Sequence, residues 1–419
     1  MPGTPLAGVR AGIDTCVHCG FCLQACPTYI NLEDENDSPR GRILLMRSVY
    51  EGSLGVQDES VRTHIDRCLG CRACEPVCPS GVPYGHLLEA TRATLLAERP
   101  LAPVARLILA VFARSWLLSL AMGASRLFRA TGLPALGARV LRGRLGFALS
   151  MLASTHATVA PRKYRPNGSG ERGTAALLTG CVMEGLFAPT NRATERTLQV
   201  NDYRMVDAPK QRCCGALHAH AGDLETARRL ARANIAAFEE ANADFVVTNA
   251  AGCGAMMKDY GHLLKDDAEW AERAARVSAK VRDVSELLVA AGPRVPSAVV
   301  PATVTYDAPC HLVHAQRISA QPLQILRSVP GLELVPLTDA DQCCGAAGIY
   351  NLIEPETSDA VLRPKIRNIA ETKAAFVATG NPGCLMQIAA GLRQARLNVH
   401  AVHPVDLLVE AYARDAKAG

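Results

Sequence analysis

Two cysteine runs constrain this chain more than anything else in it. Cys16-Val-His-Cys19-Gly-Phe-Cys22-Leu-Gln-Ala-Cys26-Pro27 and Cys68-Leu-Gly-Cys71-Arg-Ala-Cys74-Glu-Pro-Val-Cys78-Pro79 both read C-x2-C-x2-C-x3-C-P, the ligand run of [4Fe–4S] clusters. Three thiolates at two-residue intervals fold around one corner of a cubane, and the fourth lies too far along the chain for the same cluster. The expected ligation is therefore crossed. Cys16, Cys19, Cys22 and Cys78 would hold one cluster, and Cys68, Cys71, Cys74 and Cys26 the other. A zinc ribbon is the alternative, but zinc closes with four ligands, usually from two C-x2-C pairs. Eight cysteines in a doubled four-Cys run favour clusters.

The 419 residues suffice for two or three cored domains. A net charge of +5 and few aromatic residues argue against a nucleic-acid partner. The sixteen cysteines sit in metal-ligand spacings, and residues 1–11 have no apolar core of signal length. The expectation is a reducing, cytoplasmic setting with free thiolates. No run of about eighteen uncharged apolar residues occurs, so a spanning helix is not expected.

Residues 1–98 read as an α-helical cluster domain. The 41 residues between its motifs predict helices near 43–50 and 60–67, a longer spacer than compact ferredoxins use. Ser38-Pro39-Arg40-Gly41-Arg42 reads either as a turn and helix start or as a contact to a cluster edge or partner. Residues 99–170 then lack any acidic residue while arginines recur among Leu, Phe and Trp116. That composition suits amphipathic helices lying on a membrane surface, or docking on the chain's own domains or a partner. Residues 161–170 read as a linker.

From Thr174 the pattern becomes α/β, and it occurs twice. Short apolar strands (174–179, 203–207, 244–248, then 303–306, 333–335, 375–379) alternate with helices near 191–200, 223–241 and 358–372. A last strand and helix follow from 399. Cys181, Cys213-Cys214 and Cys253 in the first copy match Cys310, Cys343-Cys344 and Cys384 in the second. Their intervening lengths are 31 and 38 residues against 32 and 39, so the domains run over 171–297 and 298–419 as a duplication. Single cysteines just after strands and Cys-Cys-Gly before helices fall where α/β folds gather ligands. Helix N-termini there are expected to favour thiolates. His218, His220, His311 and His314 lie nearby, as further ligands or as ordinary hydrogen-bonded histidines.

These motifs resemble the family of two-[4Fe–4S] proteins with a duplicated cysteine-rich CCG domain. It includes glycolate oxidase iron–sulfur subunits, the membrane-associated subunit of anaerobic glycerol-3-phosphate dehydrogenase, lactate-utilisation proteins and heterodisulfide reductase subunits. Cys213-Cys214-Gly215-Ala216-Leu217-His218, Asn249-Ala250-Ala251-Gly252-Cys253 and Asp307-Ala308-Pro309-Cys310-His311 look most like the glycolate oxidase subunits. The long helical spacer resembles the α-helical ferredoxin domain of fumarate reductase and succinate dehydrogenase. The resemblance implies an electron-transfer subunit whose partner flavoprotein carries FAD and oxidises a 2-hydroxy acid. A quinone or other carrier would accept the electrons, with the chain cytoplasmic or peripheral on the inner membrane. No G-x-G-x-x-G follows a strand here, so the flavin is expected elsewhere. Alternatives are a thiol–disulfide reductase subunit, or the iron–sulfur subunit of a lactate or glycerol-3-phosphate dehydrogenase. In one respect the chain departs from the heterodisulfide reductases. Met256 and Gln387 stand where their motif ends in a last cysteine, so four thiols per repeat remain for a cluster, a zinc ion or a redox dithiol.

Overall fold

A computed structural model describes residues 3–141, 143–156 and 168–418; residues 161–167 of the linker lie outside them. The cluster domain is all-helical. Its two spacer helices, Pro39–Glu51 and Glu59–Asp66, start at Ser38, which accepts from the Gly41 amide, and at Asp58, which accepts from the Ser60 and Val61 amides. Their apolar faces bury Ile43, Met46, Val49, Val61 and Ile65 against Leu87, Leu88 and Leu95 of the Tyr84–Glu98 helix.

The basic segment forms four helices, Pro103–Phe112, Ser115–Ala130, Leu133–Val140 and Gly143–Ala153. One face packs on the chain itself: Met122 and Leu152 join Met183, Leu186 and Phe187, and Phe147 joins the core around Ile388 and Leu392. The other face leaves Val104, Leu107, Trp116, Leu120, Leu127, Leu136 and Val140 exposed. Among the described residues no single helix is long and apolar enough to cross a membrane, and the first two are bent by 105° at their junction.

The α/β half holds two four-stranded parallel sheets. In chain order the strands are β1 Thr174–Leu177, β2 Arg204–Met205, β3 Phe245–Thr248, β4 Val281–Asp283, β5 Ala302–Tyr306, β6 Leu332–Val335, β7 Phe376–Ala378 and β8 His400–Val402. The spatial orders β2-β1-β3-β4 and β6-β5-β7-β8 are the same. Such strands are buried on both faces by helices, which is why they read as short apolar runs. β4 was not expected: Val281-Arg282-Asp283 is too short, and too polar at its centre, to stand out between the Ala271–Lys280 and Val284–Ala291 helices. Each Cys-Cys-Gly precedes a short helix, Ala216–His220 or Tyr350–Ile353, and only then the long one, Leu224–Ala241 or Pro355–Thr372.

The repeats are one packed body. The Ala251 amide donates to the Gly380 carbonyl at 3.0 Å, and the His403 Nε2–H donates to the Asn249 carbonyl at 2.9 Å. Leu198, Leu288, Ile325 and Leu408 share a core drawn from both copies.

Candidate metal centres

The cysteine runs bend the backbone the same way twice. His18 and Gly20 in the first motif, and Gly70 and Arg72 in the second, all have positive φ, between 54° and 89°. Such turns aim successive amide N–H groups inward and make a cradle for an anionic group. In the second motif the Gly70 amide donates to Cys68 Sγ at 3.5 Å.

Two thiol-lined cavities result. Cys16, Cys19, Cys22, Cys74 and Cys78 line one. Cys26, Cys68, Cys71 and Cys74 line the other. With Cys74, which lines both, counted in the second, each offers four thiols, the donor set of a [4Fe–4S] cluster, and draws one of them from the other motif's run. The cavities differ in depth. All four thiols of the inner one are buried, whereas in the outer one Cys19 is exposed and the others are half-buried. Val17 and Phe21, exposed at 67% and 68%, flank Cys19.

The Ser38–Arg42 segment is a helix start whose arginines reach the thiol loops. Arg40 Nη1 donates to the His18 carbonyl at 3.3 Å beside the outer thiols. Arg42 is fully buried beside the inner ones: its Nη1 lies 3.9 Å from Cys26 Sγ and 3.0 Å from Thr28 Oγ1, and its charge is balanced by Asp37 at 3.0 Å. The Tyr84 hydroxyl donates to Cys68 Sγ at 3.6 Å. Burial pushes the pKa of Tyr84 well above the ordinary phenol range, so it stays a donor.

In the first repeat Cys181 and Cys213 lie 3.7 Å apart at sulfur, and Cys214 and Cys253 lie 3.3 Å apart. In the second, Cys344 and Cys384 are 3.3 Å apart, with Cys310 and Cys343 as hydrogen-bonding neighbours. The expectation of thiolates at helix N-termini fails for most of them. Hydrogen bonds between thiols, together with burial, push Cys181, Cys214, Cys343, Cys344 and Cys384 well up. Only Cys213 is held well below its usual value, by its hydrogen bonds with Cys181 and Cys214. Thiol–thiol hydrogen bonds and burial favour the protonated forms, and a bound cation would displace those protons. Four converging thiols per repeat fit a metal ion or cluster chemically.

The positions of the missing final cysteines are filled. Met256 is buried in the first core. Gln387 donates to Ser358 Oγ at 2.9 Å and accepts from Asn351 at 2.8 Å. The repeats also differ below the thiols. Asn234 of the Leu224–Ala241 helix donates to the Cys213 carbonyl. At the matching place in the second repeat Lys365 pairs with Asp307 at 2.9 Å, both buried. Burial pulls the Lys365 pKa down, but Asp307 raises it further, which leaves a cation under Cys343 and Cys344.

Three of the four histidines join domains, and His314 bonds within the second repeat. His311 Nε2–H donates to the Gly70 carbonyl at 3.0 Å, His218 Nε2–H to the Leu109 carbonyl at 3.0 Å, and His314 Nε2–H to the Asp341 carbonyl at 3.0 Å. His220 Nδ1 meets Glu89 at 3.0 Å. Burial lowers His311 to a pKa of about 3, so it is neutral. Sequence spacing also missed a junction: Cys71 of the inner cavity and Cys343 of the second repeat lie in one buried cluster with Leu69, Tyr350 and Val361. No periodicity links residues so far apart.

Comparison with known proteins places residues 12–82 in a 4Fe-4S dicluster domain family, and residues 175–258 and 304–389 in a Cysteine-rich domain family. The probable glycolate oxidase iron-sulfur subunit of Bacillus subtilis (strain 168) is 41% identical over 94% of this chain and 93% of its own length. The glycolate oxidase iron-sulfur subunit of Escherichia coli (strain K12) is 35% identical over 90% of each. Lactate utilization protein A of Geobacillus thermodenitrificans is 32% identical over 56% of this chain and 97% of its own length.

Proposed function

The chain belongs to the family of glycolate oxidase iron–sulfur subunits, and on that premise we propose that it is the electron-transfer subunit of a complex oxidising glycolate to glyoxylate. A flavoprotein partner carries FAD and the substrate site, and removes the hydride from C2 of the hydroxy acid. A bound [4Fe–4S] cluster supplies one-electron redox chemistry at a potential set by charge, hydrogen bonds and burial. Cys16, Cys19, Cys22 and Cys78 would hold one cluster, and Cys26, Cys68, Cys71 and Cys74 the other. A further cluster or a zinc ion would sit on Cys310, Cys343, Cys344 and Cys384, and another on Cys181, Cys213, Cys214 and Cys253.

The observation that carries this reading is the gradation from surface to interior. Cys19, flanked by exposed Val17 and Phe21, offers an apolar face for the partner. The inner thiols lie deeper, and Cys71 shares a buried cluster with Cys343 and Cys310 of the second repeat. The chain's own residues prepare that inward route: Arg42 and the Tyr84 hydroxyl stabilise added negative charge at Cys26 and Cys68, and Lys365 does so below Cys343 and Cys344. The exposed apolar and arginine-rich face of residues 103–153 suits an anionic membrane surface, where each Arg gains about 1 kcal/mol.

The test is anaerobic affinity capture of the chain with its partner, followed by addition of single hydroxy acids. Glycolate should bleach the iron–sulfur absorbance. Full complex activity in a Cys19→Ser/Cys71→Ser variant would refute the electron-transfer role.

A further inference from the structure

The two repeats meet where their last cysteines stand. Cys253 and Cys384 both occupy the third position of a helix, Ala251–Lys258 and Pro382–Gln394. The residues just before these helices are Ala250 and Asn381, so only the second repeat has a polar side chain there. An asparagine before a helix ordinarily accepts from that helix's own second or third amide, which stabilises the helix start. Asn381 makes no such bond.

Its side chain turns to the other repeat instead. Asn381 Oδ1 accepts from the Gly252 amide at 3.3 Å, one residue before Cys253, and the adjoining Ala251 amide donates to the Gly380 carbonyl at 3.0 Å. The first two amides of the Cys253 helix, which have no partner within their own helix, are thus capped by the second repeat. Because the Gly252 N–H is a donor, the amide oxygen of Asn381 must face it and Nδ2 must point the other way. There Nδ2 donates to Cys384 Sγ at 3.5 Å. A Cβ on Gly383 would press on Nδ2 at 3.3 Å, so the glycine before Cys384 leaves the amide its place. Around this bridge Cys253 packs in one cluster with Leu385 and Met386, the residues that follow Cys384. The first repeat cannot return the contact, since Ala250 has no polar group and Pro382 has no N–H to be capped.

We propose that Asn381 is a positioning residue shared by the two repeats' metal centres: its N–H stabilises negative charge at Cys384, and its oxygen fixes the turn that presents Cys253. The proposal rests on the electron-transfer reading above and adds the residue that joins the second thiol set to the first. An electron supplied singly by hydroxy-acid oxidation adds one negative charge to the second set and moves no proton. The sulfur of Cys384 then carries more charge, and the Asn381 N–H bonds it more strongly. Partners of this kind, one step out from the ligands, tune a centre and hold its ligands in place.

The experiment uses the full chain, purified anaerobically with its metal, and two variants that separate the two bonds. The metal lost in Cys214→Ser marks the first set, and that lost in Cys344→Ser marks the second. Asn381→Ala removes both bonds. Release of the first set's metal to EDTA should become about tenfold faster or more, and the reduction equilibrium of the second centre should fall at least threefold in a mediator titration followed by electron paramagnetic resonance. Asn381→Asp keeps an oxygen for Gly252 but sets a carboxylate against Cys384. The first set should then hold its metal as in the wild type, while the second centre's reduction equilibrium falls about tenfold or more, which is about 59 mV for one electron. Thermal unfolding confirms that each variant is folded. A second set that takes up no electron, variants that match the wild type in both readouts, or equal loss of metal from the first set in Asn381→Asp and Asn381→Ala would overturn the proposal. If glycolate and the flavoprotein fail to reduce the wild-type chain, the electron-transfer reading is the one that fails. If they reduce it and the folded variants behave as the wild type does, only the role of Asn381 falls.

Discussion

Replacing Tyr84 with Phe removes one O–H···S hydrogen bond and little else. The ring is 3% exposed and packs with Val61, Leu87 and Leu88, and Phe keeps that packing. The hydroxyl donates to Cys68 Sγ at 3.6 Å, one of the four inner thiols. A donor at a ligand sulfur stabilises the reduced cluster more than the oxidised one, because reduction adds a negative charge to the centre. Losing it must therefore lower the potential. A neutral hydrogen bond contributes about 0.5–1.5 kcal/mol net. At about 59 mV per tenfold change for one electron, this corresponds to a drop of about 20–65 mV at the inner centre. The outer centre should move less, since the hydroxyl bonds an inner ligand. The assay is an anaerobic redox titration of the full chain followed by electron paramagnetic resonance, with iron content checked in both proteins. An upward shift, or a larger shift at the outer centre than at the inner one, would show that this hydrogen bond does not tune the potential.

Three further outcomes follow from the packing. Asp283 caps the Val284–Ala291 helix from a buried position, and burial raises its pKa to about 6. The native state thus holds this proton more tightly than the unfolded chain, and stability falls as pH rises from about 4 through 6. Asp283→Asn keeps a good cap without the charge and should be more stable than wild type by up to ~3 kcal/mol at pH 8, the gain shrinking to about 1 kcal/mol at pH 4.5 and vanishing at about pH 3; thermal or denaturant unfolding across this range checks it. Gly222 has φ of +86°, and a Cβ there would meet the Arg92 carbonyl carbon at 2.5 Å, where the first repeat docks on the Tyr84–Glu98 helix. Gly222→Ala should cost about 2 kcal/mol or more from the left-handed backbone and the clash, read as a lower Tm with the iron content retained. Changing Arg106, Arg114 and Arg126 to Glu should abolish co-flotation with anionic vesicles, because each arginine contributes about 1 kcal/mol at such a surface; equal flotation of the variant would leave the exposed leucines to a protein partner.

Much of the fold was legible because its signals are local. Three cysteines at two-residue intervals must converge, Ser38 and Asp58 announce their helices, and short apolar runs between helical patterns announce buried parallel strands. The duplication showed in matched cysteine intervals, and the two sheets share one strand order. What escaped notice was either too short or too long in range. β4 is three residues with an arginine at its centre. Most of these thiols are pushed up because they hydrogen-bond one another and are buried, and neither is a property of helix position.

The sequence by itself determined the thiol sets, the helical spacer, the repeated α/β units and the acid-free basic segment, since spacing and composition act within a few turns of chain. Tertiary structure alone decided which thiols lie at the surface and which inside. It also put Cys71 and Cys343 in one buried cluster and gave His218 and His311 to carbonyls of the connector and the cluster loop. Those contacts join residues more than a hundred positions apart, where only the packing of whole domains determines distance, burial and charge.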